Sequence, residues 1–372
     1  MSKSDVRGLF VRTACVLLCS ISPQKSRGEN GAVADLNMAM DALAAFDATC
    51  PGRGMDLYRD DTNHFPMAYA LYASACCEIG DMTNAIGAAN WLMTHSDEDN
   101  DGVVGWGLPF AWDAFGDGTE NPAHTEYGIT TVWCVRALLD VYEQANDENA
   151  LRVALSALDG YLQYYTRTDK GGFFWYSSRI EDATGVHNVS SMLMSQYARA
   201  YRLTGRRQYL SLASETAQFL AEARLCSEYG TYWFYSTRRK RYNDSKHAAY
   251  IVQGLVDFNR YSGHEFFDIT GSVDYLRRYV EDELTHEFAD CSLTPTRYRK
   301  MPARGWGCGM LIYTLSEVGD FGAARVAVRT LKDYRFRGAC YAVKPGETKY
   351  TPRTQGHVAL GLARFMKENT AH

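Results

Sequence analysis

The feature that most constrains this chain is a repeat in its helix openings. Apolar or small-residue runs begin just after His64, His124, His187 and His247, at steps of 60, 63 and 60 residues. Trp306 marks a fifth run, "ARGWGCGMLIYTLSEVG", 59 residues on, and His357 the sixth, "GHVALGLARFM", after 51 more. Self-similarity at a period of this size marks a chain built from stacked supersecondary units.

Six other segments alternate with these runs: "AVADLNMAMDALAAFD", "MTNAIGAANWLMTH", "ENALRVALSALDGYLQYY", "RQYLSLASETAQFLAEA", "VDYLRRYVEDELTH" and "FGAARVAVRTLKDY". Each has apolar residues at i, i+3, i+4 and i+7 with charges opposite, the pattern of a helix covering one face. The histidine-led runs are apolar or small nearly all round, as buried helices are. Gly80, Gly205, Gly263 and Gly319 stand where left-handed C-caps are expected. Six exposed–buried pairs describe an all-α (α/α)6 toroid, with inner helices starting near residues 65, 125, 188, 247, 306 and 356. An open α-solenoid alternates helices similarly but needs polar terminal caps. The last run is as apolar as the interior ones, which favours closure, so residues 31–372 read as one toroid domain. Short β-hairpins are expected before the inner helices, as in "GGFFWYSS" and "GTYWFYS".

Inner helices that run the same way bring their first turns to one mouth. His64, His124, His187, His247 and His357 are therefore expected around one funnel, with Tyr127, Tyr176, Asn188, Asn243 and Trp306 beside them. A capping or packing role, copied by duplication, is the competing reading.

The chain of 372 residues is 46% hydrophobic and 22% charged, an ordinary globular balance. A net charge of −5 gives no reason to expect nucleic acid or an anionic membrane as partner. Ten cysteines form no CxxC pair and no disulfide framework, which favours a reduced, cytoplasmic compartment. Residues 1–30 read as a loosely attached arm. Their short apolar run, 13–21, cannot span a bilayer and resembles a weak secretion signal, so a secreted or periplasmic location stays open.

The richest segment for chemistry is "SDEDNDGVVGWGLPFAWDAFGDGTENPAHTEYG". Asp97, Asp99, Asp101 and Gly102 occupy the opening positions of a calcium loop, but the twelfth position is Leu108 and not the usual glutamate. Structural calcium, a helix cap and a solvated acidic turn all remain open, and no other cofactor is required. Trp106, Trp112, Asp113, Asp117, Glu120, His124 and Glu126 follow closely, and Asp60, Asp61 and His64 join them at the rim. Aromatic platforms next to carboxylates suit a carbohydrate cleft, where rings stack on sugars and acids move protons. Basic clusters around Arg241, Arg304 and Arg353 precede three inner helices. They suggest an anionic ligand, and a carboxylated sugar fits both halves. GxSxG, Walker, Rossmann and HExxH motifs are absent.

"GTYWFYSTRRKRYNDSKHAAYIVQGLVDFNRYSG", with "SMLMSQYARAYRLTGRRQYLSLASETAQFL", resembles the C-terminal region of D-glucuronyl C5-epimerases over roughly residues 170–265. The resemblance implies an (α/α)6 fold, a uronic-acid substrate within a polysaccharide, and tyrosine-assisted proton transfer at C5. The matching residues are Tyr235 and Asn243. The acidic neighbour of the family's tyrosine is missing, since Phe234 and Ser236 flank Tyr235, and there is no room for the family's extra β domain. N-acylglucosamine 2-epimerases and toroid glycoside hydrolases and lyases are similar at a coarser level. The expectation is a carbohydrate-active enzyme, most plausibly a uronosyl epimerase. His187, His247 or Tyr235 would exchange the proton, and Arg304 or Arg353 would meet the carboxylate. The alternatives are a hydrolase using Asp61, Asp113, Asp117 or Glu126, a lyase, and a non-catalytic glycan-binding module; His124 is a further candidate beside the acidic cluster.

Overall fold

The computed structural model describes residues 37–371. The arm expected over 1–30 lies outside them. Twelve helices alternate along the described chain. The outer set is α1 (37–44), α3 (Met82–Thr94), α5 (Glu148–Tyr161), α7 (Arg207–Glu222), α9 (Thr270–Arg277) and α11 (Phe321–Thr330). The inner set is α2 (Pro66–Ile79), α4 (Gly128–Ala145), α6 (His187–Thr204), α8 (Ser245–Ser262), α10 (Gly305–Glu317) and α12 (Pro352–Ala371). The two sets differ because their sequences do. On α5 only Ala150, Val153, Ala154, Ala157, Leu158 and Tyr161 are buried, a single stripe, whereas α2 is buried at every position from Pro66 to Cys77.

Each inner helix packs against the next, and α12 returns to pack against α2, so the ring closes. The α10–α12 contact is especially tight: a Cβ on Gly361 would come within 2.3 Å of the Gly309 carbonyl oxygen. The chain is thus an (α/α)6 toroid. Gly80, Gly205 and Gly263 cap α2, α6 and α8 in the left-handed region, and Gly319, one residue past the α10 cap, is left-handed too. All four serve the helix ends for which they were expected.

Five two-stranded antiparallel hairpins each follow an outer helix: β1–β2 (Arg53–Gly54, Asn63–His64), β3–β4 (Tyr165–Thr168, Gly171–Phe174), β5–β6 (Leu225–Ser227, Gly230–Tyr232), β7–β8 (Val280–Glu281, Leu284–Thr285) and β9–β10 (Arg335–Phe336, Cys340–Tyr341). The helical reading of "VDYLRRYVEDELTH" is corrected here. Helix α9 ends at Arg277, and Asp282 and Glu283, both at positive φ (52° and 62°), turn the β7–β8 hairpin as a two-residue loop does. Before α4, residues 95–127 form a long loop held by the bridges Gly107–Glu126 and Trp112–Asn121.

The C-terminal ends of the inner helices are tied across the ring by buried ion pairs. Arg136 on α4 meets Asp257 on α8 at 2.8 Å and also the Tyr313 hydroxyl on α10. Arg364 on α12 reaches Glu78 on α2 and Glu317 on α10, and Arg199 on α6 meets Asp140 on α4 at 2.8 Å. These charges plug that end, which leaves the N-terminal end as the mouth.

Candidate functional site

At the mouth, the first turns of the inner helices and the segments leading into them enclose two joined chambers. All six repeats line the inner one, of about 240 Å³, as expected for a chamber on the ring axis. The outer one, of about 950 Å³, extends from it past Glu287, Tyr298 and Pro302. Tyr235, Arg241, Asp244, His247 and Arg304 border both.

The centre of this wall is built by the sequence Asp244-Ser245-Lys246-His247. Asp244 is the N-cap of α8 and accepts the His247 backbone N–H at 3.0 Å. The same carboxylate oxygen stands 2.8 Å from His247 Nδ1, so the third helical residue folds back onto the cap. This assigns the proton to Nδ1 and leaves Nε2 for a ligand. Burial lowers the His247 pKa despite the opposing Asp244 charge, so the ring is neutral at pH 7. Burial alone would raise the Asp244 carboxyl; His247, Lys246 and Arg304 overcome it and hold the group well below the usual carboxylate range. Lys246 lies over the Trp306 ring, with Nζ 4.0 Å from its centroid, and burial together with Arg304 and Arg353 brings its ammonium down to about 8.

Arg304 and Arg353, expected to clamp a ligand carboxylate, line the inner chamber but are already paired. Arg304 Nε donates to Glu287 at 2.6 Å and Nη2 to Asp244 at 3.2 Å, while Arg353 grips Asp56 through two bonds of 2.7 and 2.8 Å. Lys246 makes no hydrogen bond to another described side chain, and Arg241 rests over Tyr235 at 4.1 Å from the ring centroid. Together Arg241, Lys246, Arg304 and Arg353 outnumber Asp56, Asp244 and Glu287 by one positive charge.

The other lining groups are largely aromatic. Trp112, Tyr127, Tyr176, Tyr235 and Trp306 all face the inner chamber, joined by Tyr58, whose ring packs 4.5 Å from Trp112. Burial pushes the Tyr235 hydroxyl up to about 12, so it stays protonated. Two buried polar atoms in this wall have no partner, Asn188 Oδ1 and Trp306 Nε1. Orphaned buried groups of this kind mark places where a bound molecule or water completes the bonding. Asn243 borders the outer chamber, with its amide donating to the Trp233 carbonyl at 3.0 Å.

The histidines do not form one surface. His247 alone among them lines the chambers. His64 lies on β2, bonded to Tyr69 at 2.7 Å and stacked near Trp91, away from the axis. His124 sits in the long loop at a φ of 67°, four residues before α4. His187 is buried, its Nδ1 donating to the Phe234 carbonyl at 2.6 Å, and serves to join two repeats. His357 lies one layer below the chamber, where it bonds the Arg353 carbonyl and the Tyr250 hydroxyl, and burial takes its pKa down to about 3. The equal spacing arose because each helix opening falls near the same place in its repeat; side-chain direction turns by about 100° per helical residue, so small offsets point the rings differently.

Most expected carboxylates also stand elsewhere. Asp113 folds its own loop, accepting the backbone N–H groups of Gly118, Gly116, Asp117 and Phe115, which lower its pKa. Asp117 pairs with Arg238 at 3.4 Å, and Asp61 accepts from Asn63 at 2.5 Å. Trp106 is core, its indole N–H donating to the Leu92 carbonyl. Glu126 is buried off the funnel; burial, and then the charges of Asp99 and Asp101, push its carboxyl up to about 7. Asp244, Lys246, Tyr250 and Tyr58 were missed. The signal for the first was available: an Asp one residue before a helix, three before a histidine.

The sequence matches no family model, and no curated protein matches it significantly. Solved structures do match in fold. A glycoside hydrolase family 76 mannosidase from Bacteroides thetaiotaomicron superposes with a TM-score of 0.58 at 13% identity, covering 91% of this chain and 98% of that one. A sugar epimerase from a ruminal bacterium gives 0.61 at 11% identity, covering 89% and 98%. The unsaturated glucuronyl hydrolase of Bacillus sp. GL1 gives 0.60 at 15% identity, covering 90% and 95%. This chain shares the (α/α)6 toroid of these carbohydrate-acting proteins over nearly its whole described length.

Proposed function

We propose that this protein is a carbohydrate-active enzyme that binds a carboxylated sugar in the funnel and moves the proton on the carbon next to that carboxylate, as a uronosyl epimerase does. The observation that carries the reading is the Asp244–His247 pair on the chamber wall beside Lys246, an ammonium without a carboxylate bonded to it. Proton abstraction next to a carboxylate needs a neutral base, a cation for the charge that develops, and a proton donor on the other face. His247 Nε2 takes the proton, and Asp244 steadies the imidazolium. Lys246 meets the substrate carboxylate as the electron pair moves into it. Tyr58 belongs to the first repeat, diametrically across a six-fold ring from α8, and supplies the proton that completes inversion.

A hydrolase reading needs two carboxyl groups about 5–9.5 Å apart across the scissile bond and free to act. The carboxylates bordering the chambers, Asp244 and Glu287, are both bonded to Arg304. Toroid neighbours include a sugar epimerase, a polysaccharide lyase and an unsaturated glucuronyl hydrolase, which supports a carbohydrate ligand. A panel of uronic-acid and neutral oligosaccharides separates the readings by product. Inverted C5 without chain shortening supports the proposal, an unsaturated end indicates a lyase, and a saturated shorter chain a hydrolase. Binding without turnover across the panel indicates a glycan-binding module and sinks it.

A further inference from the structure

The loop after α3 carries Asp97, Asp99, Asp101 and Gly102 at the first, third, fifth and sixth positions of a calcium loop, and the glutamate such a loop uses at its twelfth position is absent. In the fold, one oxygen from each of the three aspartates lies within 4.8 Å of the others. The loop is wound as a cation loop is: Asp97 accepts the backbone N–H groups of Asp101 at 3.1 Å and Gly102 at 3.2 Å, and Gly102 makes the turn at a φ of 85°.

The second observation comes from another segment. Glu126, 2% exposed, stands against this loop, and its Oε2 has no hydrogen-bond partner. Gly105 makes the approach possible, since a Cβ there would lie 2.3 Å from Glu126 Cγ. The bridge between Gly107 and Glu126 fixes the two ends of the long loop in register. Gly105 also closes the base of the aspartate loop, its N–H donating to the Ser96 carbonyl at 2.8 Å, so Glu126 packs directly against that base. A buried carboxylate with one oxygen unbonded, beside three others, is costly unless a cation joins them.

We propose that Asp97, Asp99, Asp101 and Glu126 form a calcium site in which Glu126, from the end of the loop before α4, replaces the missing twelfth-position glutamate. Calcium fits because it takes six to eight oxygens in a flexible geometry, whereas magnesium demands a stricter octahedron. The ion would pin the long loop to the funnel wall, since Tyr127 follows Glu126 and Trp112 lies within the same loop, and both line the inner chamber. The calcium site takes no part in the proposed reaction.

The test uses the full chain and terbium as probe. Tyr164 lies within the electrostatic reach of Glu126, Asp101 and Asp99 and serves as the antenna for terbium emission. One terbium per chain is expected, displaced by calcium at about 10⁻⁵–10⁻³ M and poorly by magnesium, with a rise in melting temperature on adding calcium. Glu126→Gln should weaken calcium at least about tenfold, and Asp99→Asn should do the same. If Glu126→Gln fails to fold, Glu126→Asp, which keeps the charge but withdraws it by one methylene, should also weaken binding. No saturable terbium signal, no displacement by millimolar calcium, or a Glu126 variant that binds as tightly as the parent protein would overturn the proposal.

Discussion

His247 Nδ1 lies 2.8 Å from the Asp244 oxygen that also accepts the His247 backbone N–H at 3.0 Å. One carboxylate thus starts helix α8 and sets the tautomer of the ring that faces the funnel. The two jobs separate by substitution. His247→Gln should lower turnover by about 10²–10⁴-fold, the usual share of a positioned base, with little change in melting temperature. Asp244→Ala should lower turnover too, and should also cost about 1 kcal/mol of stability through the lost cap. Steady-state kinetics and thermal melts read both.

The second prediction concerns Lys246. Burial brings its ammonium down to about 8, and the His247 pKa lies below its ordinary value. A reaction that needs neutral His247 and protonated Lys246 should lose kcat/KM on the acid side as His247 gains a proton, and again above about pH 8 as Lys246 loses one. Lys246→Met should raise KM for acidic substrates and abolish the alkaline limb, while leaving the acid limb in place. A pH–rate profile for each protein checks this.

Tyr58 tests the two-faced geometry. Tyr58→Phe should still exchange the substrate proton with solvent, because His247 remains, but should invert the centre about 10²–10⁴-fold more slowly, the usual share of a lost general acid. Proton NMR in deuterated water follows exchange and inversion in one sample. Equal loss of both would assign the tyrosine to binding only.

Much of this fold was legible because periodicity alone distinguishes a helix buried all round, such as α2, from one with a single apolar stripe, such as α5. The closed end was not legible: nothing in the spacing of Arg136 and Asp257, 121 residues apart, announces a pair. The site was half legible. Trp112, Tyr127, Tyr176, Asn188, Tyr235 and His247 do share one chamber, because each stands in the first turn of an inner helix or in the segment that leads into it. The other histidines failed because they stand two to six residues out of step with His247 relative to their helix starts, which turns their side chains away from the axis. Arg304 and Arg353 reached the chamber, but charge sequence could not reveal that Glu287 and Asp56 already hold them.

The plug at the closed end carries a stability prediction. Arg136→Met takes from buried Asp257 the nearer of its two arginines, Arg260 remaining at 3.4 Å, and should cost about 3 kcal/mol in urea unfolding, the low end for a broken buried pair. Replacing both, Arg136→Met with Asp257→Leu, should recover much of that loss, since the uncompensated charge is gone.

His357 predicts how the ring responds to acid. Its folded pKa, about 3, lies below the ordinary value of 6.5. Between these values the unfolded chain binds a proton that the folded chain does not. Its contribution is therefore complete above pH 6.5 and is lost as pH falls toward 3, at about 1.4 kcal/mol per pH unit. His357→Gln should flatten this part of the stability curve, measured by denaturation at stepped pH.

The most direct test of the proposed chemistry is the isotope content of one carbon. A uronic-acid oligosaccharide that the panel shows to bind is incubated in deuterated water with the parent protein and with His247→Gln. Deuterium at C5 of the carboxylated sugar, with chain length unchanged, and its loss in His247→Gln, is the predicted result. A bound, carboxylated substrate that keeps its C5 proton in the parent protein, or one that exchanges equally well without His247, would contradict the account.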